Sequence, residues 1–74
     1  MILCMAMDIC VWVGRRIRLL RTRHGWTQQM LADHAEIARE HLSELENGRK
    51  EIGIRTLERI ANALDLPLSE FFGD

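Results

Sequence analysis

Four interruptions, at Gly25, Gly48, Gly53 and Pro67, cut residues 13–72 into short runs. They constrain the fold more than any other feature of the chain. Within each run apolar residues recur at helical spacing, so the breakers mark the ends of short helices rather than the turns of a sheet. Ile17, Leu20 and His24 share the spacing of a first helix that begins near Val13 and stops at Gly25. Thr27 then has the chemistry of an N-cap, its hydroxyl free to accept from an amide of the next turn. The run Gln28–Ala35 follows as a second helix, with Leu31, Ala32 and Ala35 facing inward. After a short break at Glu36 and Ile37, a third helix spans about Arg39 to Asn47, burying Leu42 and Leu45, and Gly48 suits the left-handed position beyond its end. A fourth, "IRTLERIANAL", carries the stripe Ile54, Leu57, Ile60, Ala61 and Leu64. Pro67 fits the start of a last helix, "LSEFF", where a missing amide costs nothing.

The expected fold is therefore all-α, with five short helices in residues 12–74 and an apolar N-terminal arm in residues 1–11. Seventy-four residues lie near the lower limit for an unaided core, burying about 60% of the unfolded surface. Support from a second subunit is consistent with that size. The opening "MILCMAMDICVWV" is apolar, but it is short, is broken by Asp8 and lacks a basic leader, so neither a membrane span nor a signal peptide is expected. Cys4 and Cys10 have no third or fourth ligand near them, which fits reduced thiols in a cytoplasm rather than a zinc site. His24, His34 and His41 also match no metal spacing, and no metal or other cofactor is expected. His24 suits a helix C-terminus, and Trp26 a plug between the first two helices.

Charge is divided unevenly along the chain. Arg15, Arg16, Arg18, Arg21 and Arg23 stand against Asp8 alone in residues 1–26, whereas the remaining residues hold five basic and ten acidic side chains. A net charge of −1 thus hides a basic end able to attract phosphate.

Two short helices joined by a tight turn, the second closing on Asn47-Gly48, make a helix-turn-helix candidate. The segments "GRRIRLLRTRHGWTQQMLADHA", "LSELENGRK" and "TLERIANALDLPLSEFF", in this order, resemble the Cro-like, phage-repressor-type family often called XRE, with a lambda-repressor-like fold. The resemblance covers roughly residues 13–72. The run "RKEIGIRTL" and an arginine early in the third helix are also reminiscent of the controller proteins of restriction–modification systems.

That resemblance implies a homodimeric transcriptional regulator on double-stranded DNA, with the third helix in the major groove and half-sites about 34–36 Å apart. It implies base contacts from Arg39, Glu40, His41, Ser43 and Glu44, and phosphate contacts from Thr27, Gln28, Asn47, Arg49 and Lys50. It assigns Glu46 to a structural ion pair with Arg21, and Leu68, Phe71 and Phe72 to the region of a two-fold contact, with one phenylalanine inside. The arm residues Ile2, Leu3, Ile9, Val11 and Trp12 would extend that interface. The sequence departs from the family at Glu36, where glycine is common, and at Ala38, where a Ser or Thr cap is common. Glu51 would repel the phosphates near it. Other readings remain open: an antitoxin that also binds a toxin protein, or an interaction domain that has lost DNA binding. RNA polymerase is a further possible protein partner for an activator. No nucleophile–base pair or phosphate loop suggests an enzyme.

Overall fold

The computed structural model describes residues 8–73; the expectations for Ile2, Leu3, Cys4 and the rest of residues 1–7 lie outside them. Among the described residues five helices follow one another: α1 (Ile9–Arg23), α2 (Gln28–Ala35), α3 (Arg39–Glu46), α4 (Ile54–Ala63) and α5 (Leu68–Phe71). No strand occurs among the described residues, and no helix there is long and apolar enough to cross a membrane.

The first helix starts earlier than its periodicity suggests. Asp8 is an N-cap, its carboxylate accepting from the Cys10 amide at 2.7 Å. Residues 9–11, assigned to the arm, are therefore the first turn of α1. The aspartate that interrupts this apolar stretch satisfies one of the helix's free amides.

The C-terminal ends of α1, α2, α3 and α4 share one closure. Trp26 N–H donates to the Arg21 carbonyl, Ile37 to Ala32, Arg49 to Glu44 and Leu66 to Ala61, each bond spanning five residues. Each closure has a left-handed residue just before the donor: Gly25, Glu36, Gly48 and Asp65, with φ of 80°, 60°, 71° and 58°. These are Schellman motifs, which return orphan carbonyls to hydrogen bonding and turn the chain sharply. In three of them the donor residue is apolar, and Trp26, Ile37 and Leu66 pack against the core. The closure of α3 instead delivers Arg49 to solvent.

The core joins Val13 and Ile17 of α1, Leu31, Ala32 and Ala35 of α2, and Leu42 and Leu45 of α3 to Ile60, Ala61, Leu64 and Phe71. Fully burying each large member is worth about 1.5–3 kcal/mol. Ile54 was expected in this stripe but is 83% exposed. It is the first residue of α4, one turn ahead of Leu57, and its side chain stays outside the packed layer. Gly14 sets how closely α1 and α3 cross. A Cβ there would lie 2.7 Å from the Glu46 carbonyl oxygen and closer still to that of Leu45. Only hydrogen at this position lets the two backbones touch.

Candidate nucleic-acid interface

Helices α2 and α3 are set by unequal devices. The Thr27 hydroxyl caps α2 by accepting from the Met30 amide at 3.2 Å. Ala38 gives α3 no side-chain cap. Between them Glu36 takes the left-handed conformation that glycine adopts freely, and the turn closes despite that cost.

On α3, Leu42, Leu45 and Glu46 are buried. Arg39, Glu40, His41, Ser43 and Glu44 are exposed or half-exposed. Glu40 lies 3.9 Å from the Arg39 guanidinium, and Glu44 lies 3.9 Å from the Lys50 ammonium. Both contacts are long and solvated, each worth at most about 1 kcal/mol, so these charges can be re-paired by a ligand.

Glu46 behaves differently. Its side chain is completely enclosed. Arg21 grips it at two points, Nε to Oε2 at 2.7 Å and Nη2 to Oε1 at 3.0 Å. Gln28 Nε2 donates to Oε1 at 3.0 Å, and Arg18 Nε reaches the same oxygen at 3.5 Å. Burial pushes this carboxyl up, but hydrogen bonds from Arg21 and Gln28, the Arg21 charge and the Arg18 bond together hold it below its ordinary value. Arg21 also donates through Nη1 to the Trp26 carbonyl at 2.9 Å. One arginine therefore joins α1, the turn after it and α3. Trp26 is flanked by His34, stacked at 4.3 Å, and by the edge of His24 at 4.2 Å.

The residues assigned to phosphate divide into two groups. Gln28 is half-buried and partly committed, one N–H to Glu46, with its carbonyl and second N–H left over. Asn47 donates to the Ser43 carbonyl at 2.8 Å and accepts from Arg18 Nη2 at 3.3 Å. Thr27, Arg49 and Lys50 are exposed.

Two arginines of α1 have roles that the sequence alone does not reveal. Arg16 donates through Nε to the Phe71 carbonyl at 2.5 Å and through Nη2 to the carbonyls of Glu70 and Gly73. It clamps the C-terminal end of α5 onto α1. Arg18 crosses instead to the exit of α3. Their partners lie far along the chain, so no local pattern announces either contact.

Phe71 is wholly enclosed in the monomer and belongs to the core rather than to a two-fold surface. Leu68 and Phe72 remain about half exposed. Phe72 stacks parallel on Trp12 at 5.9 Å, which is also partly exposed, so α1 and α5 share one apolar patch. Nothing in the structure explains the exposed Leu19. Among the described residues no group of three His, Cys, Asp or Glu side chains is placed to hold a metal ion.

A helix-turn-helix family model matches residues 17–71, from the middle of α1 through α5. The chain belongs to the XRE-type helix-turn-helix family. It is 42% identical over 60 residues to a competence pilus inhibition repressor of Acinetobacter baylyi, covering 81% of this chain and 54% of that protein. The chain spans about half the length of that repressor and of several other curated relatives. Controller proteins match over more of their own length. The restriction–modification controller protein C.AhdI of Aeromonas hydrophila superposes with a TM-score of 0.83 at 31% identity, over 86% of this chain and 97% of that one. The controller protein C.Esp1396I, solved as a tetramer with its natural 35-base-pair operator, gives 0.84 at 27% identity, over 89% and 87%. Within this XRE-type fold, α2 and α3 form the helix-turn-helix unit.

Proposed function

We propose that this chain is a homodimeric, sequence-specific transcriptional regulator that places α3 in the DNA major groove of an inverted-repeat operator. The observation that carries the reading is the division of labour on α3. Its one buried carboxylate is tied to α1, while Arg39, Glu40, His41, Ser43 and Glu44 face outward and its closure delivers a cation rather than an apolar residue. The operator complex of C.Esp1396I supports the DNA as ligand.

In this reading phosphate contacts fix register and base contacts carry sequence. Thr27, Gln28, Asn47, Arg49 and Lys50 serve the first task. Arg39 reads guanine through its two-pronged fork, and Glu40 or Glu44 accepts from a cytosine amino group. The weak pairing of Arg39 with Glu40 pre-positions the guanidinium. Leu68 and Phe72, with Trp12, form the two-fold contact that sets half-site spacing. The protein works in the cytoplasm, binds no cofactor and catalyses no reaction. Repression follows if the operator overlaps a promoter, activation if it places the dimer beside RNA polymerase.

Selection of bound sequences from a random duplex pool tests this directly. The expected product is an inverted repeat whose half-site centres lie about one helical turn apart. A pool without enrichment after repeated rounds would overturn the assignment.

A further inference from the structure

Glu46 is one carboxylate facing two guanidiniums, and they are not equivalent. Arg21 occupies both oxygens and its side chain is only 12% exposed. Arg18 makes a single long contact at 3.5 Å, and its side chain remains 52% exposed. The cluster therefore keeps one uncancelled positive charge, and Arg18 carries it at the surface. Its position is set by Asn47, whose Oδ1 accepts from Nη2 at 3.3 Å while its own amide nitrogen is fastened to the Ser43 carbonyl at 2.8 Å. The guanidinium thus lies over the last turn of α3, beside the closure that sends Arg49 into solvent.

Two explanations compete for this arrangement. A cation near a helix C-terminus is favoured by the helix dipole. Yet Arg18 bonds no carbonyl of α3. It spends two of its five N–H groups on long contacts to an amide and to an already satisfied carboxylate. The rest of its fork is free. Arg16 on the same helix shows how an arginine that caps carbonyls looks here, with three of them taken at once.

We infer that Arg18 is a contact to the nucleic-acid backbone, its guanidinium taking a phosphate oxygen at the exit of α3 while Asn47 and Glu46 hold it in place. This rests on the proposed placement of α3 in the major groove. Arg18 and Arg49 then provide charge on the two sides of Asn47, one from α1 and one from the loop. A bidentate fork suits a phosphate better than it suits the crowded Glu46 oxygen.

The test is the salt dependence of binding to a mixed-sequence duplex, which a purely structural role would leave unchanged. Each phosphate contact contributes about 0.9 to the slope of log affinity against log salt. Arg18→Gln should lower that slope by about one contact, so its affinity deficit shrinks by about 3.5-fold between roughly 50 and 200 mM salt. Arg18→Lys, which keeps the charge, should restore the slope. Arg23→Gln removes a charge from α1 beside α5, where Arg23 lines a groove with Leu64, Leu66 and Glu70, and should leave the slope unaltered. Thermal melting checks that all three fold. An unchanged slope in Arg18→Gln, an equal loss in Arg23→Gln, or no recovery in Arg18→Lys would each overturn the inference. Absence of salt-dependent duplex binding by the unsubstituted protein would instead overturn the DNA reading on which it rests.

Discussion

Arg21 and Glu46, 25 residues apart, form a two-point ion pair that binds α1 to α3, with Nε–Oε2 at 2.7 Å and Nη2–Oε1 at 3.0 Å. The carboxylate also accepts from Gln28, so the start of α2 meets the same point. Of the three glutamates on α3, Glu40 and Glu44 reach solvent and Glu46 is buried. Glu46 is the fastening by which α3 is held on α1.

Removing one partner of such a pair strands the other charge in a poorly solvated place, at a cost of about 3–5 kcal/mol. Glu46→Ala should lose most of that, a large share of the roughly 5–15 kcal/mol available to a small domain. Glu46→Gln, which keeps the shape and an acceptor, should lose less. Urea denaturation of the three proteins measures it; equal midpoints would show that the pair contributes nothing to stability.

Acid should act through the same group. Glu46 titrates below its ordinary value of 4.5 in the folded protein, because the Arg21 and Gln28 hydrogen bonds and nearby positive charge outweigh the upward push of burial. The folded state then holds fewer protons than the unfolded chain as pH drops. Its contribution is complete above the unfolded-state value and is lost as pH falls through the lower folded one. Stability against urea should therefore decline below about pH 4.5 more steeply in the parent than in Glu46→Gln. Parallel decline in the two would assign acid sensitivity to other carboxylates.

The turn between α2 and α3 should be improvable. Glu36 holds φ at 60°, a region where a side chain is strained and glycine is not. Glu36→Gly should raise stability by about 0.5–1 kcal/mol, the relief of strain exceeding the added freedom of the unfolded chain. Gly25→Ala is the converse. Nothing lies within 4 Å of its Cβ, yet at φ 80° it should lose about 1 kcal/mol. Thermal melts that rank these two the other way would refute the strain argument.

Much of this fold was legible because its signals are local. Thr27, Gly48 and Pro67 act on residues within one turn of themselves, and the sequence places them where the helices begin or end. Asp8 is harder to read, because hydropathy notes an interruption where capping chemistry sees an acceptor two residues before a free amide. Family resemblance made the Arg21–Glu46 pair legible. Gly14, Arg16 and Arg18 were not, since their partners lie 28 to 57 residues away and depend on how helices cross. Phe71 and Phe72 illustrate the same limit. Neighbours must face different ways, but only the packing of α5 on α1 decides which one is enclosed.

Gly14 provides a sharper test of that crossing. A methyl group there would press on two carbonyl oxygens at the end of α3, which can move only with the backbone. Gly14→Ala, usually a gain in a helix interior of up to about 1 kcal/mol, should instead cost about 1–3 kcal/mol or more. A more stable alanine variant would mean that α1 and α3 lie further apart than described.

Arg39 should determine a base. It is half exposed at the first turn of α3, with Glu40 alongside at 3.9 Å and no bond that burial would make costly to exchange. If it reads guanine, Arg39→Ala should lower affinity for the selected operator by about 1–3 kcal/mol and relax preference at one base pair of each half-site. Binding to mixed-sequence duplex should fall much less, because phosphate contacts dominate there. The two losses separate a base contact from a phosphate contact: an equal drop on both duplexes would move Arg39 to the backbone, and no drop on either would remove it from the interface.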